Sequence, residues 1–280
     1  AYRLFDLRYT GFAATYYQPA ADLVIALPDS AITDQDRTNQ LTQIESNIGR
    51  RLDLEGNSGL TSQVSFSIAR DSRDFPQFAT SGMRLSIQND FAGIGGDVKY
   101  FKQLYLSEIY VPVLFGTALS LRGKYGVVAN PFNSREVPFF ERFFPGGISF
   151  DGMIRGYSNN SIGPYSVVDN GGTTRDGGRA MTILTLEYQL PILDQRSSPQ
   201  PVYAVAFAEA GNAWEKISQT SFDPRKLKKS VGVGIRVIMP LIGLLGFDFA
   251  YGFDPPSDPF FSATTKRSGW NTHFQLGQMF

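Results

Sequence analysis

The chain has no cysteine and a single histidine, His273, among its 280 residues. Disulfides and thiolate metal sites are therefore excluded. A histidine metal cage or a Ser-His-Asp triad would have to rest on one imidazole, so no catalytic residue, metal site or cofactor is expected. Charge is also scarce. Twenty-six Lys+Arg balance 26 Asp+Glu, and charged residues make up 19% of the chain, below the roughly 25% usual for soluble domains. A net charge of zero argues against a basic nucleic-acid surface, so no nucleic-acid partner is expected. Long apolar runs are missing: the most apolar stretch, 237–249, is broken by Pro240, Gly243, Gly246 and Asp248, whereas a spanning helix needs about 20 predominantly apolar residues. The glycine pairs Gly95-Gly96 and Gly171-Gly172 lack the Lys-Ser/Thr that a phosphate loop requires. The first residues, Ala1, Tyr2, Arg3 and Leu4, include neither an initiating Met nor a signal-like apolar segment. The chain is expected to be a mature protein or part of a longer one.

What the chain does have is aromatics (14%, with 23 Phe) and 28 Gly, at a mean hydropathy of −0.15. Abundant aromatics without a helical span leave one membrane solution, the β-barrel, in which lipid-facing and lumen-facing residues alternate and cancel in any average. Period-two alternation recurs along the chain. Val64, Phe66 and Ile68 alternate with Gln63, Ser65 and Ser67. Leu184, Leu186 and Tyr188 alternate with Thr185, Glu187 and Gln189. Val231, Val233 and Ile235 alternate with Gly232, Gly234 and Arg236. Leu245, Phe247 and Phe249 alternate with Gly246 and Asp248. These are strand patterns, and no segment shows a comparable 3.6 period. They predict ten strands near 42–52, 60–72, 82–92, 98–113, 117–129, 180–191, 202–214, 230–240, 244–253 and 271–280, with one or two more within 2–27.

A soluble sandwich would also alternate, but with strands of about 5–6 residues; runs of about 9–13 fit a tilted membrane crossing. Short and long connections alternate, as in outer-membrane barrels. The longest, 130–179, exceeds an ordinary connection, and such loops are normally functional or disordered. The predicted architecture is an all-β, antiparallel transmembrane barrel over 1–280, with ten to twelve strands visible.

The long connection reads Val137, Pro138, Phe139, Phe140, Glu141, Arg142, Phe143, Phe144, Pro145, Gly146, Gly147, then Ile154, Arg155, Gly156, Tyr157, then Gly163-Pro164. Asp71, Ser72, Arg73 and Asp74 stand upstream with Thr80, Ser81 and Gly82; Gly177-Gly178, Leu186-Glu187-Tyr188 and Glu209-Ala210-Gly211-Asn212 follow in order. Together these resemble the Omp85 superfamily of outer-membrane barrels, most closely its assembly-machine branch, over roughly 42–280. The Arg155-Gly156-Tyr157 triplet stands where that family carries an Arg-Gly-aromatic motif at a loop tip. The resemblance implies that this loop folds into the lumen and that Arg155 meets two acids, here Glu187 and Glu209, in a charge lock. Independently of the resemblance, Glu187 has lumen parity on its strand, and an enclosed carboxylate wants a cation. Glu209 lies on a strand whose faces are both apolar, so its direction is open. Phe143, Gly146 and Gly147 are read as tight turns packed under aromatics.

The resemblance further implies a barrel of about sixteen strands, of which this chain would lack the first, and preceding periplasmic repeats that this sequence does not contain. It implies a non-enzymatic factor in the outer membrane of a Gram-negative-type bacterium that inserts client barrels through a lateral seam. Its partners would be unfolded outer-membrane proteins, accessory lipoproteins or other assembly subunits, and outer-membrane lipid. A two-partner secretion pore, another Omp85-type translocator with one dedicated substrate, and a passive porin stay open as alternatives. The final segment, with Phe274, Leu276 and Phe280 on one face, resembles an outer-membrane recognition signal, and Gly277 is a candidate kink beside the seam.

Overall fold

Alternating apolar and small polar residues build one antiparallel sheet of ten strands in this computed structural model. Residues 6–16, 58–75, 78–96, 98–131, 137–149, 151–167, 173–193, 200–239 and 243–276 are described. The strands are β1 (Asp6–Tyr16), β2 (Ser58–Asp71), β3 (Gly82–Ala92), β4 (Tyr100–Pro112), β5 (Ala118–Ala129), β8 (Ala180–Leu193), β9 (Val202–Trp214), β10 (Lys228–Met239), β11 (Gly243–Gly252) and β12 (Gly269–Leu276). They lie in chain order, each paired with its predecessor, except that β8 pairs directly with β5. The connection between them holds a short hairpin, β6 (Tyr165–Val167) with β7 (Thr173–Arg175). A six-residue helix, α1 (Pro259–Thr264), lies between β11 and β12. No helix among the described residues is long and apolar enough to cross a membrane. The predicted strand at 42–52 and the predicted segment at 277–280 lie outside the described residues.

The alternation sorts side chains to two faces. Leu121, Leu186, Val233, Phe247 and Phe274 are exposed on the outside, while Ser120, Glu187, Arg236, Asp248 and Gln275 point inward and are buried. β4 reads less cleanly because Gln103, of outward parity, is polar and donates to Asn89 of β3 at 2.7 Å, while Leu104, of inward parity, packs on the inner core.

The sheet wraps round the 137–167 segment. Glu141 accepts from Tyr100 of β4 (2.9 Å) and from Lys102 (3.3 Å). The Lys124 ammonium of β5 donates to the Asp151 carbonyl at 2.5 Å, and Tyr157 donates to the Lys229 carbonyl of β10 at 2.8 Å. The main apolar core therefore lies inside, where Val137, Phe143, Ile154, Tyr157 and Ile162 of the loop meet Tyr100, Val128, Met181 and Ile183 of the wall.

At the opposite rim, the β2–β3 turn folds inward. Asp74 accepts from the backbone N–H groups of Thr80 (2.9 Å) and Ser81 (3.2 Å). Gly82, at φ +101, sits where a Cβ would lie 2.9 Å from Arg73 Cα, so only glycine fits there. Arg73 binds Asp71 at 2.8 Å and reaches Glu108 of β4 at 3.4 Å. The turn carries Phe78 onto Tyr203 of β9, stacked at 3.9 Å between centroids, with Leu244 beside them.

Candidate functional site

The loop tip is a folded unit. Gly147 and Ile154 exchange backbone hydrogen bonds of 2.8 and 3.0 Å, and Gly146 N–H donates to the Gly152 carbonyl at 3.0 Å. Gly147, at φ +61, lies where a Cβ would stand 2.9 Å from the Asn159 backbone, and Gly146 would meet the Ser158 carbonyl at 2.8 Å. These glycines thus sit in tight turns that admit a second stretch of backbone. The aromatics find glycines elsewhere: Phe143 packs on Gly126 of β5 and Phe144 on Gly177.

This fold drives Arg155 into the interior, where it is fully buried. Its Nε and Nη2 both donate to Glu209 Oε1, at 2.9 and 2.6 Å. Nη2 also reaches Glu187 Oε2 at 3.1 Å, and Nη1 reaches Asp248 Oδ1 at 3.4 Å. The Arg155 backbone N–H donates to Glu209 Oε2 at 2.5 Å, so Glu209 clasps the residue by backbone and side chain together. Phe207, two residues before Glu209, lies under the guanidinium with 3.3 Å from Cζ to its ring centroid, a cation–π contact in a desolvated place. Burial opposes the charge on Arg155, but Glu209, Glu187 and Asp248 outweigh it and hold the guanidinium's pKa above its ordinary value.

The three acids sit on β8, β9 and β11, and two further cations complete the cluster. Arg122 of β5 binds Glu187 at 3.2 Å. Arg236 of β10 binds both oxygens of Asp248 at 2.8 and 2.9 Å, and Gln275 of β12 donates to Asp248 at 2.9 Å. Arg122, Arg155 and Arg236 thus balance Glu187, Glu209 and Asp248, which is what a buried ionic cluster needs.

Beyond Arg155, the next peptide is tied to β12. Gly156 N–H donates to His273 Nε2 at 3.0 Å, and Asn271 Nδ2 donates to the Gly156 carbonyl at 2.9 Å. Gly156 has φ +87, and a Cβ there would lie 2.9 Å from Gly252 N. Tyr157 is buried beside it.

Sequence reasoning names Arg155, Gly156, Tyr157, Glu187 and Glu209, and the fold brings all five together. Phe274 and Leu276 lie apart from them on the outer face of β12, both exposed; Gly277 and Phe280 lie outside the described residues. Asp248 and Arg236 are site residues that the sequence reading gives only as the polar half of an alternation, and Arg122 joins them from β5. That parity is the signal that could have found them, since it turns each inward. Among the described residues no group of His, Cys, Asp and Glu is arranged to hold a metal ion.

Comparison with known proteins gives the family. The Omp85 superfamily domain matches residues 9–280. The outer membrane protein assembly factor BamA of Nitratidesulfovibrio vulgaris is 28% identical over 243 residues, which cover 86% of this chain and 28% of that protein. A SAM50-like protein of Drosophila melanogaster is 30% identical over 105 residues, 38% of this chain and 23% of its own length. The crystal structure of BamA from Haemophilus ducreyi lacking POTRA domains 1–3 superposes with a TM-score of 0.63 at 20% identity, over 83% of this chain and 47% of that one. It shows the same barrel fold. The chain spans between 18% and 28% of the length of the first curated relatives. With its family domain matched over nearly the whole sequence, the chain belongs to the Omp85 superfamily.

Proposed function

We propose that this chain forms the barrel of an outer-membrane protein assembly factor, which folds and inserts client β-barrels. The observation that carries the reading is the fully buried Arg155 at the tip of an inward-folded loop, held by acids of three wall strands. A passive pore needs an open lumen, whereas this cluster stitches the loop across it. The Nitratidesulfovibrio vulgaris relative is an outer membrane protein assembly factor, and another relative, from Homo sapiens, is a sorting and assembly machinery component 50 homolog.

The working edge of the reading is the seam. β1 and β12 are the outer strands of the ten-stranded sheet, and no ladder joins them among the described residues. An open strand edge is a template for another strand, and β12 presents exposed Trp270, Phe274 and Leu276 on its lipid side. A client strand would add there, with unfolded outer-membrane proteins as clients and accessory lipoproteins or other assembly subunits as partners, in the outer membrane.

The test is client folding in phospholipid vesicles containing the full protein that carries this chain. Folding of an unfolded barrel client should outpace that in protein-free vesicles, and Arg155→Ala should slow it. Cysteine at Thr272 should cross-link to the client's terminal strand. Equal rates with and without the protein would overturn the assembly reading; acceleration without the cross-link would overturn the seam.

A further inference from the structure

The loop tip meets the outermost strand β12 through a contact that the charge cluster does not require. Gly156 N–H donates to His273 Nε2 at 3.0 Å, and Asn271 donates to the Gly156 carbonyl at 2.9 Å. Two side chains of one strand thereby bind both polar groups of a single residue, much as a neighbouring strand would. We infer that His273 and Asn271 are positioning residues that latch the loop tip to the edge strand, and that the latch closes only while His273 is neutral. The inference stands on this geometry and goes beyond the assembly reading.

The reason is donor and acceptor chemistry. A backbone N–H can only donate, so Nε2 must carry a lone pair and the proton must sit on Nδ1. Protonation makes both ring nitrogens donors, and the imidazolium would then set an N–H against the Gly156 N–H. Among the described residues the surroundings supply no spare anion to rescue the charged form. Asp248 of β11 is the cross-strand partner of His273, but its oxygens are taken by Arg236 of β10, Arg155 of the loop and Gln275 of β12. Arg155 itself adds a positive charge close by. On β12 the flanking inward residues, Asn271 and Gln275, are uncharged. An acidic medium should therefore release the tip from β12, while Arg155 stays on Glu209 and Glu187.

His273 is the only histidine of this sequence, so ¹⁵N-histidine labelling of the full protein, with the His273 signal assigned by its loss in a His273 variant, reads this imidazole, provided that purification uses a histidine-free tag. In lipid nanodiscs near neutral pH, Nε2 should be the unprotonated nitrogen. Through the titration of that ring, hydrogen exchange at the Gly156 amide, corrected for its intrinsic pH dependence, should rise. The Arg155 amide, bound to Glu209, should stay protected and serves as the internal control. His273→Gln, whose Oε1 accepts where Nε2 did and does not titrate, should keep Gly156 protected over the whole range, an outcome that a merely space-filling histidine would not produce. An Nε2–H tautomer at neutral pH would overturn the latch, as would Gly156 protection that ignores the titration. Equal loss in His273→Gln and wild type would overturn the role given to the ring proton. If His273→Gln fails to fold, the tautomer and titration of the wild-type protein decide alone. None of these readouts involves a client, so failure of the latch and failure of the assembly reading are separable.

Discussion

Replacing Arg155 with Ala does not affect its three acids equally. Glu187 would keep Arg122 at 3.2 Å, and Asp248 would keep Arg236 at 2.8 Å. Glu209 would lose both guanidinium bonds, 2.9 and 2.6 Å, and keep only the backbone N–H of residue 155. It is 3% exposed, so it sits away from bulk solvent. Removing one member of a buried pair costs about 3–5 kcal/mol because the other is left as an uncompensated charge. That is roughly two to three and a half orders of magnitude in the equilibrium between docked and released loop. Hydrogen exchange over 154–157 in nanodiscs should show the loss directly, and protease cleavage within 137–167 should appear with it. Arg155→Lys should recover little, since an ammonium cannot reproduce the fork on Glu209. The discriminating measurement is a pair of double-mutant cycles. Glu209→Gln should relieve most of the Arg155→Ala defect, with a coupling toward the upper part of the roughly 0.5–3 kcal/mol range for residues in contact. Glu187→Gln should couple more weakly, because Arg122 already holds that carboxylate. Additive effects at Glu209, or a stronger coupling at Glu187, would refute the assignment of Glu209 as the principal partner.

Other sites test the fold and the tip. Cysteine at Leu184, Leu186 or Val233, which are 37%, 44% and 57% exposed, should react with lipid-phase probes, and cysteine at Thr185 or Gly234 should not; equal aqueous labelling of both sets would contradict the barrel. Gly156→Ala sets a Cβ 2.9 Å from Gly252 N at φ +87; left-handed backbone alone costs a β-carbon about 1–2 kcal/mol, so exchange at 154–157 should speed up while the urea midpoint of the sheet, followed by tryptophan fluorescence, changes little. Phe78→Ala removes the 3.9 Å stack on Tyr203 and should cost about 3 kcal/mol of global stability without altering exchange at Arg155; an unchanged urea midpoint would show that the turn does not pack at that rim.

The strands are legible because their cause is local. A two-residue period in Thr185, Leu186, Glu187 and Tyr188 marks opposite faces whatever the sheet later does, and the same parity turns Arg236 and Asp248 to one side. β9 is the exception: Ala206, Ala208 and Ala210 alternate with Phe207 and Glu209, and alanine is too neutral to declare a face. Register supplies what parity lacks, since Ser230 of β10 and Thr185 of β8 oppose Glu209 and share its inward side. The long connection is legible as a loop, but its β6–β7 hairpin is not, because three-residue strands carry too little periodicity to be seen.

Taken alone, the sequence determined most of the described strands and which face of most of them meets lipid, while the pairing of an Arg-Gly-Tyr tip with internal acids came from its resemblance to a known family. Only the tertiary structure decided that Asp248 is a third acid on Arg155, that Phe78 crosses the lumen to Tyr203, and that His273 must accept from Gly156. Those contacts join residues 93, 125 and 117 positions apart. Alternation depends on neighbours two residues away, whereas a cross-lumen contact depends on how far the sheet curls and on which strand it brings opposite the loop.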